Sequence, residues 1–316
     1  MDLTAIAAAL AGFVLLVIGG EVLVTGAKGI SLRFGLRPAT VGVTVVALAT
    51  SAPELAVSVG ATLSGDPGLT LGNVIGSNIA NVLLVLGTAA VLAPVVLTRE
   101  ATRRDLPVSI AFTVVLILLA ADGTVSKADG FVLIVMLAMH LGWAVWSTRS
   151  GKTPATTPPS DQKTTPTQAF GRIIAGTMSL VAGAELLVYG AGSLAQAWGV
   201  DEVVVGLAVV AIGTSLPELA AAVSAARRGE ATLAVGNALG SNIANIGLVL
   251  GVPALLVAPI PVPFPAVRQD IFFAFLVSLC LWVVGVGRGR IGRVGGVAFA
   301  LGYLIYIASL VMTDRP

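Results

Sequence analysis

Val41–Val59 reads VGVTVVALATSAPELAVSV, and Val205–Val223 reads VGLAVVAIGTSLPELAAAV. Each is followed by a second matching stretch, GNVIGSNIANVLLVLG from Gly72 and GNALGSNIANIGLVLG from Gly236. All matched residues lie a constant 164 positions apart, and the same offset joins Glu21 to Glu185. Similarity at one fixed spacing, uninterrupted by insertions, means that the chain contains two copies of one structural unit.

Working outward from these copies, the composition identifies their solvent. Hydrophobic residues make up 56% of the 316 positions and charged residues 11%, with a mean hydropathy of +0.98. A water-soluble domain could not present such a surface. Apolar runs of roughly 20 residues recur along the chain, so helices cross a lipid bilayer repeatedly, closing their backbone hydrogen bonds internally. Charges, prolines and glycines divide the chain into spans near 4–30, 38–63, 69–94, 104–121, 128–147, 168–197, 203–226, 231–258, 268–287 and 292–312. The predicted fold class is an all-α membrane protein of ten transmembrane helices, with helices 1–5 in residues 1–147 and helices 6–10 in residues 168–316. Residues 148–167 join them through a Thr-, Pro- and Ser-rich segment that can bury little and reads as a cytoplasmic linker. Because each copy has an odd number of spans, the second enters the membrane inverted, and substrate sites of such transporters lie at the interface of the repeats.

Orientation follows from the basic residues. With the N-terminus outside, only Lys127, Arg268 and Arg315 of the 18 Lys and Arg fall on the outer side, which predicts that both termini are outside. The predicted location is the inner (plasma) membrane, as a multi-pass protein. No Lys or Arg precedes Lys28, so the first helix is expected to stay rather than be cleaved as a signal peptide. Trp143 and Trp146 mark an aromatic belt at the inner interface. One cysteine (Cys280) and one histidine (His140) exclude disulfides, cysteine-rich metal sites and His-based triads within the chain. The scattered basic residues report topology rather than nucleic-acid binding.

Glu54 and Glu218 sit mid-span, where a charged carboxylate is costly and marks function. Pro53 and Pro217 precede them, predicting kinks that free backbone carbonyls around Ala47 and Thr50, and around Ala211 and Thr214. Helical spacing puts Thr50 and Ser51 beside Glu54, and Thr214 and Ser215 beside Glu218. Asn73, Ser77 and Asn81 form a row four residues apart, as do Asn237, Ser241 and Asn245. These are all hard oxygen donors, suited to Na⁺ or Ca²⁺ and not to zinc, copper or iron. Gly72, Gly76 and Ala80, and likewise Gly236, Gly240 and Ala244, read as a small-residue packing seam. Glu21 and Glu185 read as bracing or gating residues, and His140 as a satisfied structural residue.

With both signature segments present in both halves, here ATSAPEL with GNVIGSNIAN and GTSLPEL with GNALGSNIAN, the chain resembles the calcium/cation antiporter superfamily, in its prokaryotic sodium/calcium exchanger-like branch. The resemblance covers essentially the whole chain. It implies a four-helix core enclosing four cation sites, filled alternately by sodium ions or one calcium, while the first and sixth helices slide to alternate access. Carried over position by position, it implies Ca²⁺ ligands at Glu54 and Glu218 with the carbonyls of Thr50 and Thr214. It implies Na⁺ sites at Ala47 with Ser77 and at Ala211 with Ser241, completed by Ser51, Ser215, Asn81 and Asn245. Exchangers of this branch pair an asparagine with an aspartate where this chain has Asn81 and Asn245.

The expected function is therefore secondary active exchange of Ca²⁺ for Na⁺, with no enzymatic activity or cofactor and with inorganic cations and the bilayer as partners of a functional monomer. Proton-coupled Ca²⁺ exchange is the alternative, and a cation channel a remote one. No HExxH pair or aspartate-rich cluster suggests an intramembrane enzyme.

Overall fold

The structure is a computed structural model and describes residues 3–65, 67–150, 165–197, 213–257, 259–262 and 266–312. Among these, the long helices are α1 (Leu3–Phe34), the bent pair α2 (Pro38–Thr50) and α3 (Ala52–Leu63), α4 (Pro67–Leu92), α5 (Ala101–Asp122), α6 (Lys127–Ser150), α7 (Pro166–Ala197), α8 (Leu216–Arg227), α9 (Ala231–Val257), α10 (Ala266–Gly287) and α11 (Arg293–Met312). Eight of them are individually long and apolar enough to cross a membrane, and the α2–α3 pair is a ninth candidate as one broken span. Residues 203–212 of the expected helix 203–226 lie outside the described residues, as do the bulk of the linker, Asp66 and the C-terminal Arg315. The remaining spans start and stop within a few residues of their predicted limits.

Two antiparallel two-residue pairings tie helix ends together, β1 (Val95–Val96) with β4 (Arg290–Ile291) and β2 (Thr124–Val125) with β3 (Ile260–Pro261). Gly65 and Gly229, themselves 164 apart, adopt left-handed φ of 86° and 72° just past α3 and α8. Glycine takes that conformation without a Cβ penalty, and it ends a helix by redirecting the chain. After Gly229 the amide of Glu230 bonds back to the carbonyl of Ala225 at 2.8 Å.

Burial separates a centre from a periphery. Some 78% of the apolar window of α4 and 72% of that of α9 is buried, against 11% for α11, which exposes Leu301, Leu304 and Ile305. Trp143 and Trp146 are exposed on α6. In lipid the hydrophobic effect does not drive helices together, so close backbone approach must. A Cβ on Gly12 would lie 2.4 Å from the Leu187 amide nitrogen, one on Gly19 2.9 Å from that of Leu180, and one on Gly176 2.6 Å from that of Leu23. These contacts run in opposite directions along α1 and α7, so the two helices cross antiparallel. Each also has a counterpart at the 164-residue offset: Gly26 meets Ala169 as Gly190 meets Ala5.

Gly236 and Gly240 on α9 press against α2, where Cβ atoms would approach the carbonyl oxygens of Ala39 and Val43 to 2.3 and 2.5 Å. Here the expected seam is present. Gly72 and Gly76 meet no described atom; their counterpart surface, around residues 203 and 207, lies outside the described residues. Glu21 forms an ion pair with Arg228, and Lys28 lies 3.3 Å from Glu230, so both fasten α1 to the α8–α9 turn. The counterpart positions of Arg228 and Lys28 are Ser64 and Gly192, which cannot form such pairs.

Candidate cation site

The site starts from one broken helix and one helix start of the same backbone shape. Ser51, between α2 and α3, has φ −81° and ψ 5°, and the helix axis turns by 42°. Ser215, just before α8, has nearly the same backbone, φ −88° and ψ 0°. Pro53 and Pro217 occupy the first turns of α3 and α8, where a missing amide donor is harmless. Glu54 and Glu218 consequently fall in first turns too, where unpaired amides and the helix dipole favour negative charge. One expectation is corrected here. The Ala47 carbonyl is not stripped of its donor by the kink, because it accepts the Ser51 amide at 2.9 Å. A proline removes the partner of the carbonyl four residues earlier, which for Pro53 is Ala49. Ala47 is fully buried and touches the Gly240 seam with its side chain; its counterpart Ala211 lies outside the described residues.

Each half then braces the other. The Thr50 hydroxyl donates to Asn237 Oδ1 at 3.2 Å and lies 3.5 Å from Ser241 Oγ, which donates to Glu218 Oε1 at 3.4 Å. The counterpart Thr214 hydroxyl donates to Asn73 Oδ1 at 3.3 Å. Asn73 is held in turn by donating to the Glu54 carbonyl oxygen (3.1 Å) and to Ser58 Oγ (3.0 Å). Ser77 is buried on α4 one turn before Asn81. π-Helical turns begin at Asn81 and at Asn245, spanning Asn81–Val85 and Asn245–Leu250. Such turns cluster at functional sites, and no periodicity in the sequence announces them.

Ser51 Oγ, Glu54 Oε2 and Asn81 Oδ1 are buried without a hydrogen-bond partner, and so are Ser215 Oγ, Glu218 Oε2 and Asn245 Oδ1. A buried unsatisfied polar atom costs about 1–3 kcal/mol, and more when charged. These six oxygens fall in three pairs at the repeat offset, and all are of the hard-donor type that Na⁺ and Ca²⁺ take as ligands. Among the described residues no cluster brings together three or more His, Cys, Asp or Glu, so Glu54 and Glu218 carry the negative charge of this set. Among the described residues, Asn237 Nδ2 is also buried without a partner, and it can only donate.

Other residues differ from the sequence reading. His140 is buried, but both ring nitrogens lack hydrogen-bond partners; its nearest aromatic neighbour, Trp143, meets it edge-on at 6.4 Å and offers no acceptor. It is therefore not a satisfied histidine. Asn78 and Asn242, absent from the predicted ligand set, interlock the two halves: the side-chain amide of each donates to the backbone carbonyl of the other at 3.3 Å. Their recurrence at the 164-residue offset was the available signal, but they lie off the 73–77–81 row.

A broken membrane-spanning helix and buried carboxylates at two helix starts are features of a membrane ion transporter. The sequence profile of the family described as sodium/calcium exchanger protein matches residues 4–146 and 168–312, and the chain belongs to that family, whose members are exchangers and not enzymes. It is 34% identical to the inner membrane protein YrbG of Escherichia coli K12, covering 98% of this chain and 97% of that one. With the sodium/calcium exchanger MaX1 of Methanosarcina acetivorans it shares 29% identity over 95% of this chain and 97% of that one. A structure of the sodium-calcium exchanger NCX_Mj soaked with Na⁺ and Sr²⁺ superposes with a TM-score of 0.85 at 32% identity, covering 98% and 99% of the two chains.

Proposed function

We propose that this protein exchanges Ca²⁺ for Na⁺ across the plasma membrane by alternating access, as a monomer of ten spans arranged in two inverted repeats with both termini outside. The observation that carries the reading is the set of six buried, unpartnered oxygens related in pairs by one offset. Glu54 and Glu218 supply two negative charges, matching one Ca²⁺ or two Na⁺. Ser51, Ser215, Asn81 and Asn245 supply neutral oxygens, with Thr50, Thr214, Ala47, Ala211, Ser77 and Ser241 completing the sites. The reciprocal contacts of α1 with α7 support the inverted arrangement, since an antiparallel pair built from equivalent helices is what inversion produces. Sliding of that pair against the α2–α3, α4, α8 and α9 core would expose the site to either side in turn. Likeness to exchangers described as sodium/calcium supports Na⁺ as the coupling ion.

In proteoliposomes loaded with Na⁺, ⁴⁵Ca²⁺ uptake is expected to require the outward Na⁺ gradient and to be indifferent to a pH gradient of similar size. Uptake driven by the pH gradient alone would replace Na⁺ by H⁺ as the coupling ion. A Ca²⁺ conductance without any counter-ion requirement would replace exchange by a channel.

A further inference from the structure

We infer that Asn78 and Asn242 are positioning residues that hold the amide oxygens of Asn81 and Asn245 toward the cation, each acting across the interface on the ligand of the opposite half. The inference rests on the cation-site reading above and deepens it.

An asparagine amide has one oxygen acceptor and one NH₂ donor, and its orientation is decided by what each end meets. Asn81 Nδ2 donates to Asn242 Oδ1 at 3.0 Å, and Asn245 Nδ2 donates to Asn78 Oδ1 at 3.0 Å. Asn78 and Asn242 are themselves prevented from turning over, because their own NH₂ groups donate to the backbone carbonyls of Asn242 and Asn78. Turning either one would set two acceptors face to face. Every side-chain oxygen and nitrogen of the bracing pair is therefore used, and all four asparagines are buried. What remains unpartnered is Asn81 Oδ1 and Asn245 Oδ1 alone. The network thus acts as a directional clamp: it consumes the donor end of each ligand and leaves the acceptor end for a cation. It also selects the residue type, since an ionised aspartate at 245 has no donor for Asn78 Oδ1 and would place oxygen against oxygen.

The pairing is crossed, and that makes it testable. Loss of a group that orients a metal ligand typically costs about 10–100-fold in affinity or activity. Asn78→Ala is expected to raise the apparent KM for Ca²⁺ about 10-fold or more, with little change in kcat per folded molecule. In a double-mutant cycle its effect should largely vanish in an Asn245→Ala background and persist in full beside Asn81→Ala; Asn242→Ala should show the converse, coupled to Asn81 and independent of Asn245. Melting temperatures of the purified variants separate this from a packing defect, which would lower stability and yield without the crossed KM coupling. If an alanine variant does not insert, the cycles are run with Asn78→Ser and Asn242→Ser, which also lack the amide. Effects that multiply in both cycles, or coupling within each half instead of across, would overturn the inference. Glu54→Gln serves as the control: Ca²⁺ exchange retained in that variant defeats the cation-site reading itself, whereas its loss together with uncoupled cycles defeats only the clamp.

Discussion

Glu54→Gln and Glu218→Gln are each expected to abolish Ca²⁺ exchange while the protein remains inserted and folded. Glutamine keeps the shape of glutamate and removes its charge. At an effective dielectric near 20, a unit charge about 4 Å from a cation contributes about 4 kcal/mol per unit of cation charge, which is about a thousand-fold in binding or more for a divalent ion. The burial of both carboxylates leaves no solvent to substitute for that charge. The ion-free protein should tolerate either change, because a neutral amide costs less to bury without a cation than a carboxylate does. Melting curves without Ca²⁺ are expected to be unchanged or shifted upward, while stabilisation by added Ca²⁺ is lost. Wild-type transport in either purified variant would show that carboxylate to be structural.

The second large effect is expected from a single methyl group. Gly240→Ala places a Cβ 2.5 Å from the carbonyl oxygen of Val43 and 2.7 Å from the Ala47 side chain, distances that real side chains do not reach. Helices α9 and α2 must separate, at a cost of about 1–3 kcal/mol for overpacking. The neighbouring residue is Ser241, whose hydroxyl reaches both Thr50 and Glu218, so the displacement enters the site directly. Exchange should fall at least about 10-fold along with the melting temperature. Gly60→Ala, at an exposed helical position with no described atom within reach of the new methyl, should leave transport intact and stabilise its helix slightly. Equal behaviour of the two variants would mean that the seam does not position the site.

The fold was legible to the extent that it rests on repetition and hydropathy. The offset linking Glu54 to Glu218 is visible without any structure, and apolar run length marks most spans. Details set by backbone geometry were not. The π-turns at Asn81 and Asn245 arise from one extra residue in a turn, which leaves no periodic trace at a single site. The Ala47 carbonyl was misjudged because the break falls at Ser51, after Ala47 has already gained an amide partner. Asn78 and Asn242 escaped because following one helical row through 73, 77 and 81 selects a single face, whereas these residues point to the opposite half. That face matters only once the two copies are docked.

The central claim is that a cation sits between Glu54 and Glu218, and anomalous diffraction from crystals soaked in Sr²⁺ as a Ca²⁺ substitute tests it most directly. A strong peak is expected within coordinating distance, about 2.3–2.6 Å by the Ca²⁺ standard, of carboxylate oxygens from both glutamates, and it should disappear when Na⁺ replaces Sr²⁺. A peak confined to surface carboxylates, with none between Glu54 and Glu218, would contradict it.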